Sequence, residues 1–198
     1  MKLSLREQIH AALFAIIIAG LSQLTIPLGL IPLTGQTFAI GLAVTFLGTR
    51  TGTMAIIIYL LLGLIGLPVF AGFSSGIGVL LGPTGGYLVG FLFNGLLTGL
   101  VVEKTAFRYT GAVIGNIVGA LATLLFGTLW LKWSTGMAWP AAFNGGFVLF
   151  IIPGIIKAVA AAYLGIFFKK PLGATIGFAL IKKHSRHMQR FPSVSFFV

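Results

Sequence analysis

The 198-residue chain contains no cysteine, so neither a disulfide nor a thiolate metal site can be built from it. It contains no aspartate either, and its only two acids are Glu7 and Glu103. No Ser-His-Asp set is available. A proton-coupled carrier usually needs an intramembrane carboxylate, and both glutamates are expected at helix ends. The nucleotide-cradling pattern G-x-x-x-x-G-K-[ST] is also missing. These absences argue against catalysis, and against a transporter that powers itself.

Charge of any kind is scarce. Charged residues make up 8% of the chain, where a soluble domain carries roughly 25%. Hydrophobic residues make up 58%, and the mean hydropathy is +1.09. The chain reads as an all-α integral membrane protein. At about 20 residues per span there is room for six transmembrane helices. These form a single six-helix domain over 1–180, followed by a basic tail over 181–198. The net charge of +11 fits cytoplasmic loop bias and anionic lipid, so no nucleic-acid partner is expected. His184 and His187 in the tail lack acidic or thiol neighbours, so no metal and no cofactor is expected. Lys2 and Arg6 precede a run that continues into a span, which reads as an uncleaved N-terminus.

The expected spans are 9–24, 37–48, 51–66, 84–102, 109–130 and 143–168. Lysine and arginine placement orients them. Lys2, Arg6, Arg50, Lys104, Arg108, Lys169, Lys170, Lys182, Lys183, Arg186 and Arg190 fall on one side, and Lys132 on the other. Both termini are then cytoplasmic. Trp130, Trp133 and Trp139 around Lys132 read as an outer interfacial belt. Residues 25–36, T-I-P-L-G-L-I-P-L-T-G-Q, are too rich in proline and glycine for a helix and too apolar for a solvated loop. They read as a lid over the outer face. The uncharged stretch Gly76–Gly90, G-I-G-V-L-L-G-P-T-G-G-Y-L-V-G, reads as a non-helical connection opening into a helix at Pro83 or Thr84. It is either a plain loop or irregular backbone lining a ligand cavity.

Lys157 is the most informative residue. A charge in mid-span costs about 2.5–3.5 kcal/mol on insertion scales. No acid is placed to neutralise it. It reaches an interface, is uncharged, or meets an oxygen brought by a ligand. Thr34, Gln36, Asn94 and Asn144 are candidate polar contacts. The alternative for the asparagines is an interhelical hydrogen bond. Phe38, Phe70, Phe73 and Tyr87 are candidate apolar contacts. Ala11, Ala15 and Ala19 make a smooth stripe on the first span, for packing inside the bundle or for docking a partner subunit.

Three motifs carry a resemblance. L-L-G-P-T-G-G-Y-L-V-G-F resembles the signature of the BioY family, the biotin-specific S components of energy-coupling factor (ECF) vitamin transporters. Ile31–Ile40 looks like that family's first loop and second-helix start, and Pro153–Lys157 is similar to its sixth-helix motif. The resemblance implies a multi-pass protein of the cell membrane that binds biotin on the extracellular side. It implies docking to a transmembrane coupling subunit carrying two ATPase subunits, with the alanine stripe as the docking face. The family pattern commonly has Asp three residues before the lysine, where this chain has Gly154. Lys157 then acts alone, or with Asn144 or Gln36. The rival readings are a structural membrane subunit without a ligand, and a carrier or channel working alone.

Overall fold

In the computed structural model, residues 3–188 are described, with side chains through Lys169. Lys2, residues 189–198 of the basic tail and the side chains of Lys170 and of 181–188, His184 and His187 included, lie outside the described residues. The chain divides into two units, Met1–Ile166 and Phe167–Val198. The packing and the cavity below belong to the first.

Helix α1 (Leu5–Ser22) opens with a capping box: Ser4 accepts the Glu7 N–H, and the Glu7 carboxylate accepts the Ser4 N–H at 2.7 Å. Next come two short strands, β1 (Thr25–Ile26) and β2 (Leu33–Thr34), paired antiparallel with Thr25 opposite Thr34. Pro27 and Pro32 fall just outside the paired residues, where a missing N–H breaks no ladder bond. The expected lid is therefore a small hairpin. Helices α2 (Gln36–Leu47) and α3 (Thr49–Leu64) follow, joined at Gly48 with φ +88°. A side chain at Gly48 would also meet the Glu103 carboxylate, which accepts the Thr49 N–H at 2.7 Å.

The Gly-rich stretch is not wholly irregular. A short helix α4 (Ile77–Leu81) occupies its first part, because Val79 and Leu80 pack on the core that Phe70, Leu88 and Phe91 share with α1, α2 and α3. The break comes at Gly82–Thr84, and Trp130 donates its indole N–H to Gly82 O at 2.9 Å. Helix α5 (Gly85–Lys104) and helix α6 (Tyr109–Thr135) then pack closely. Glycines on both make this possible. A Cβ at Gly90 would lie 3.0 Å from Thr123 Cα, and one at Gly119 would lie 2.6 Å from Asn94 Oδ1. Helix α7 (Trp139–Phe143) passes through a widened π turn (Asn144–Val148) into α8 (Leu149–Met188). Pro153, in the first turns of α8, supplies no N–H to the turn before it.

Among the described residues, four helices are long and apolar enough to cross a membrane: Leu5–Ser22, Gly85–Lys104, Tyr109–Thr135 and Trp139–Lys169. Helices α2 and α3, with 12 and 16 residues, fall short of the about 20 that a span needs.

The alanine stripe resolves toward packing. Ala11 and Ala15 are fully buried against the core that α1 shares with α2 and α3, and Ala19 packs beside them. Ala11 and Ala15 are thus covered by the bundle's own helices. Side chains of only one methyl let the helices approach closely enough to cover the stripe.

The glycine seam yields a direct test. Gly119→Leu forces a side chain into Asn94 and Thr98 and should cost about 1–3 kcal/mol, as overpacking does. Gly20→Leu, where a Cβ meets nothing within 4 Å, should leave stability unchanged or raised. Melting temperatures of the two variants in detergent check this.

Candidate functional site

A cavity of about 150 Å³ lies in the first unit, far larger than the about 10–15 Å³ one water needs. Its walls come from most of the elements. The hairpin gives Ile31 to Thr34, and the first turn of α2 gives Gln36 and Thr37. The connection after α3 gives Phe70, Ala71 and Ser74, and α4 gives Val79. Thr84, Tyr87, Leu88 and Phe91 come from the start of α5. Ala120, Thr123 and Leu124 come from α6, and Phe150, Gly154 and Lys157 from α8. The lining is mostly apolar, with a few polar groups converging on it, as small-molecule sites are built.

Most of those polar groups are already engaged. Gln36, 6% exposed, donates its amide N–H to the Tyr59 hydroxyl and accepts the Thr34 hydroxyl at 2.8 Å. The Tyr87 hydroxyl donates to Gly146 O at 2.7 Å, inside the π turn. Gly146 is required there, since a Cβ would lie 2.7 Å from the Tyr87 oxygen. Thr123 donates to Gly119 O at 3.1 Å, and Ser74 donates to Ala71 O at 2.8 Å.

Lys157 is different. Its half-buried ammonium donates to the backbone oxygen of Thr34 at 3.0 Å, so α8 is tied to the hairpin. An ammonium has three N–H donors, and this bond uses one. Among the described residues no carboxylate lines the cavity. Glu7 is taken up in its capping box, and Glu103 bonds the start of α3. One turn before Lys157, Gly154 lines the same cavity, and a Cβ there would meet nothing within 4 Å. There is room for an acid beside the lysine, and the chain does not place one there.

Of the residues singled out in the sequence, Thr34, Gln36, Phe70, Tyr87 and Lys157 come together around the cavity. Four do not line it. Asn94 lies buried in the α5–α6 seam, donating to the Thr123 hydroxyl at 3.2 Å and accepting the Thr98 hydroxyl at 3.0 Å. Asn144 is exposed at the start of the π turn. Phe38 is half-buried on α2, and Phe73 is 71% exposed. Sequence reasoning passed over Thr37, Leu88, Phe91, Thr123 and Phe150, ordinary apolar-helix residues with no local signal.

Residues 1–174 match the model of the BioY family. A biotin transporter, BioY2 of Lactococcus lactis, is 47% identical over 164 residues, covering 83% of this chain and 90% of that protein. The biotin transporter BioY of Thermotoga maritima is 37% identical, covering 84% of this chain and 97% of its own length. Among solved structures, the S component for biotin from an ECF-type ABC transporter superposes with a TM-score of 0.78. It is 28% identical and covers 83% of this chain and 91% of that one.

The Gln36 bonds generate a prediction for the empty protein. Gln36→Leu strips the Tyr59 and Thr34 hydroxyls of a partner, at a cost of about 1–3 kcal/mol for an unsatisfied buried group. The melting temperature should fall, and the amides of Leu33–Gly35 should exchange hydrogen faster than in the unsubstituted chain.

Proposed function

The chain belongs to the BioY family, and on that premise we propose that it captures biotin in the cavity between the hairpin and α8, as the substrate-binding component of an ECF-type importer. The observation that carries this reading is the Lys157 ammonium, which faces a chamber without an acid and keeps donors in reserve. An oxygen of the ligand, ureido carbonyl or carboxylate, satisfies it. Burying the ammonium against that oxygen in apolar surroundings makes the hydrogen bond stronger than in water. Tyr87, Phe70 and Phe91 enclose the apolar body of the ligand. Thr34 and Gln36 hold the hairpin in place. Phe38, Phe73, Asn94 and Asn144 make no ligand contact in this reading.

The wider assignment is a six-span protein of the cell membrane, with both termini cytoplasmic and the cavity opening outward. The two turns bearing Arg50 and Lys104–Arg108 lie together, since Glu103 bonds the Thr49 N–H. Positive charge gathered at one end supports a cytoplasmic location for that end. The hairpin and the start of α5 belong to the other end. Helices α2 and α3 tolerate their shortness because much of their surface is enclosed by protein. The chain performs no chemistry of its own. A transmembrane coupling subunit and two ATPase subunits supply the energy for uptake.

Lys157→Ala should weaken biotin binding at least tenfold, a loss of about 1.4 kcal/mol or more, in calorimetry on purified protein. Unchanged affinity rejects the lysine's role. In proteoliposomes, rapid biotin uptake should require the coupling subunit, the ATPases and ATP together. Equal uptake by this chain alone would favour a self-sufficient carrier.

A further inference from the structure

A line of polar contacts runs from the cavity lining to the end of α1, which does not itself line the cavity. Lys157 bonds Thr34, Thr34 bonds Gln36, and Gln36 bonds Tyr59. Tyr59 is fully buried and reaches Ser22, the last residue of α1. Ser22 Oγ lies 2.6 Å from Val69 O, and its neighbour Gln23 donates from Nε2 to Ser22 Oγ at 2.8 Å.

Gln23 does not line the cavity, yet both ends of its carboxamide grip the connection that does. Nε2 donates to Phe70 O at 3.1 Å, and Oε1 accepts the Phe73 N–H at 2.9 Å. The gripped backbone closes on itself through Phe70 N–H to Ser74 O at 3.0 Å and Ser74 Oγ to Ala71 O at 2.8 Å, around a bend of uncommon geometry. Gly72 and Phe73 are consecutive left-handed residues, with φ of +64° and +56°. A bulky residue rarely adopts that region. The Phe73 ring is 71% exposed, so ring packing does not hold it there. Its N–H is bonded from outside the connection, by Gln23. Immediately before this bend sits Phe70, 1% exposed, its ring edge-on to Tyr59 at 5.6 Å and seated where Gly63 has no Cβ. Phe70, Ala71 and Ser74 form one wall of the cavity.

We propose that Gln23 is a positioning residue for ligand capture: it fixes the 69–74 connection so that Phe70, Ala71 and Ser74 stand as a preformed wall. A wall ordered before the ligand arrives spares binding the cost of ordering it. The same carboxamide makes the end of α1 and this wall move as one piece. The proposal rests on the cavity being the biotin site.

The test uses the full chain in nanodiscs. Biotin affinity is measured by calorimetry and amide exchange across 69–74 by mass spectrometry, for the unsubstituted chain, Gln23→Ala, Gln23→Glu and Val102→Ala. Val102 is buried at the far end of α5 and controls for general loss of stability. Gln23→Ala should raise Kd at least fivefold and speed exchange in 69–74 without ligand. Gln23→Glu keeps the acceptor for Phe73 and should recover part of the affinity. Val102→Ala should lower the melting temperature with Kd changed less than twofold. If the unsubstituted chain binds biotin and Gln23→Ala binds it equally well, the positioning role is overturned. A loss of affinity in Val102→Ala equal to that in Gln23→Ala overturns it too, since stability alone then explains both. If the unsubstituted chain binds no biotin, it is the reading of the cavity that falls.

Discussion

One ammonium without a protein anion sets the terms for the site. Lys157 projects from α8 into an apolar chamber, and its described partner is a backbone carbonyl of the hairpin. A charge in such surroundings is costly unless hydrogen-bonded, and a single bond to a peptide oxygen satisfies it only in part. On the proposed reading, the remaining donors would favour a molecule that is apolar over most of its surface and carries an oxygen at the right place. Because the same bond ties α8 to the hairpin, a ligand oxygen arriving there meets the residue that also anchors the cover.

The rest of the bundle makes this arrangement rigid. Glycines facing across α5 and α6 bring two long helices into close contact, and the Asn94, Thr98 and Thr123 side chains bond one another inside that seam. The small alanines of α1 do the same against α2 and α3. Close helix packing by small residues, with polar groups paired between helices, is how association proceeds where lipid offers no hydrophobic drive. On this scaffold the irregular pieces are each held by a specific bond. Gln36 and Lys157 hold the hairpin, Tyr87 and Gly146 the π turn, Trp130 the break at Gly82, and Gln23 the bend at Phe73. Non-helical backbone near membrane depth persists only where such partners or a cavity receive it.

The sequence made the helices and Lys157 legible because each rests on a local signal. Apolar length marks the long spans, and a charge in mid-span stands out against it. The hairpin was legible only as a non-helical lid, since two residue pairs leave no alternation to read. The short α4 was missed because glycine spacing argued against helix, while packing of Val79 and Leu80 decided for it. Asn94 and Asn144 could not be sorted from sequence. One falls in a seam and the other on the surface, and which face of a helix meets the cavity depends on neighbours far along the chain. Ala11, Ala15 and Ala19 show the same limit. A smooth stripe signals close approach, but does not say whether the approaching helix belongs to the same chain.

The most direct measurement of the central claim is a structure of the chain with biotin bound. The account predicts a biotin oxygen within hydrogen-bond distance of Lys157 Nζ, inside the cavity walled by the hairpin, Phe70 and Tyr87. Biotin seated elsewhere, or in that cavity with its oxygens directed away from the lysine, would contradict it.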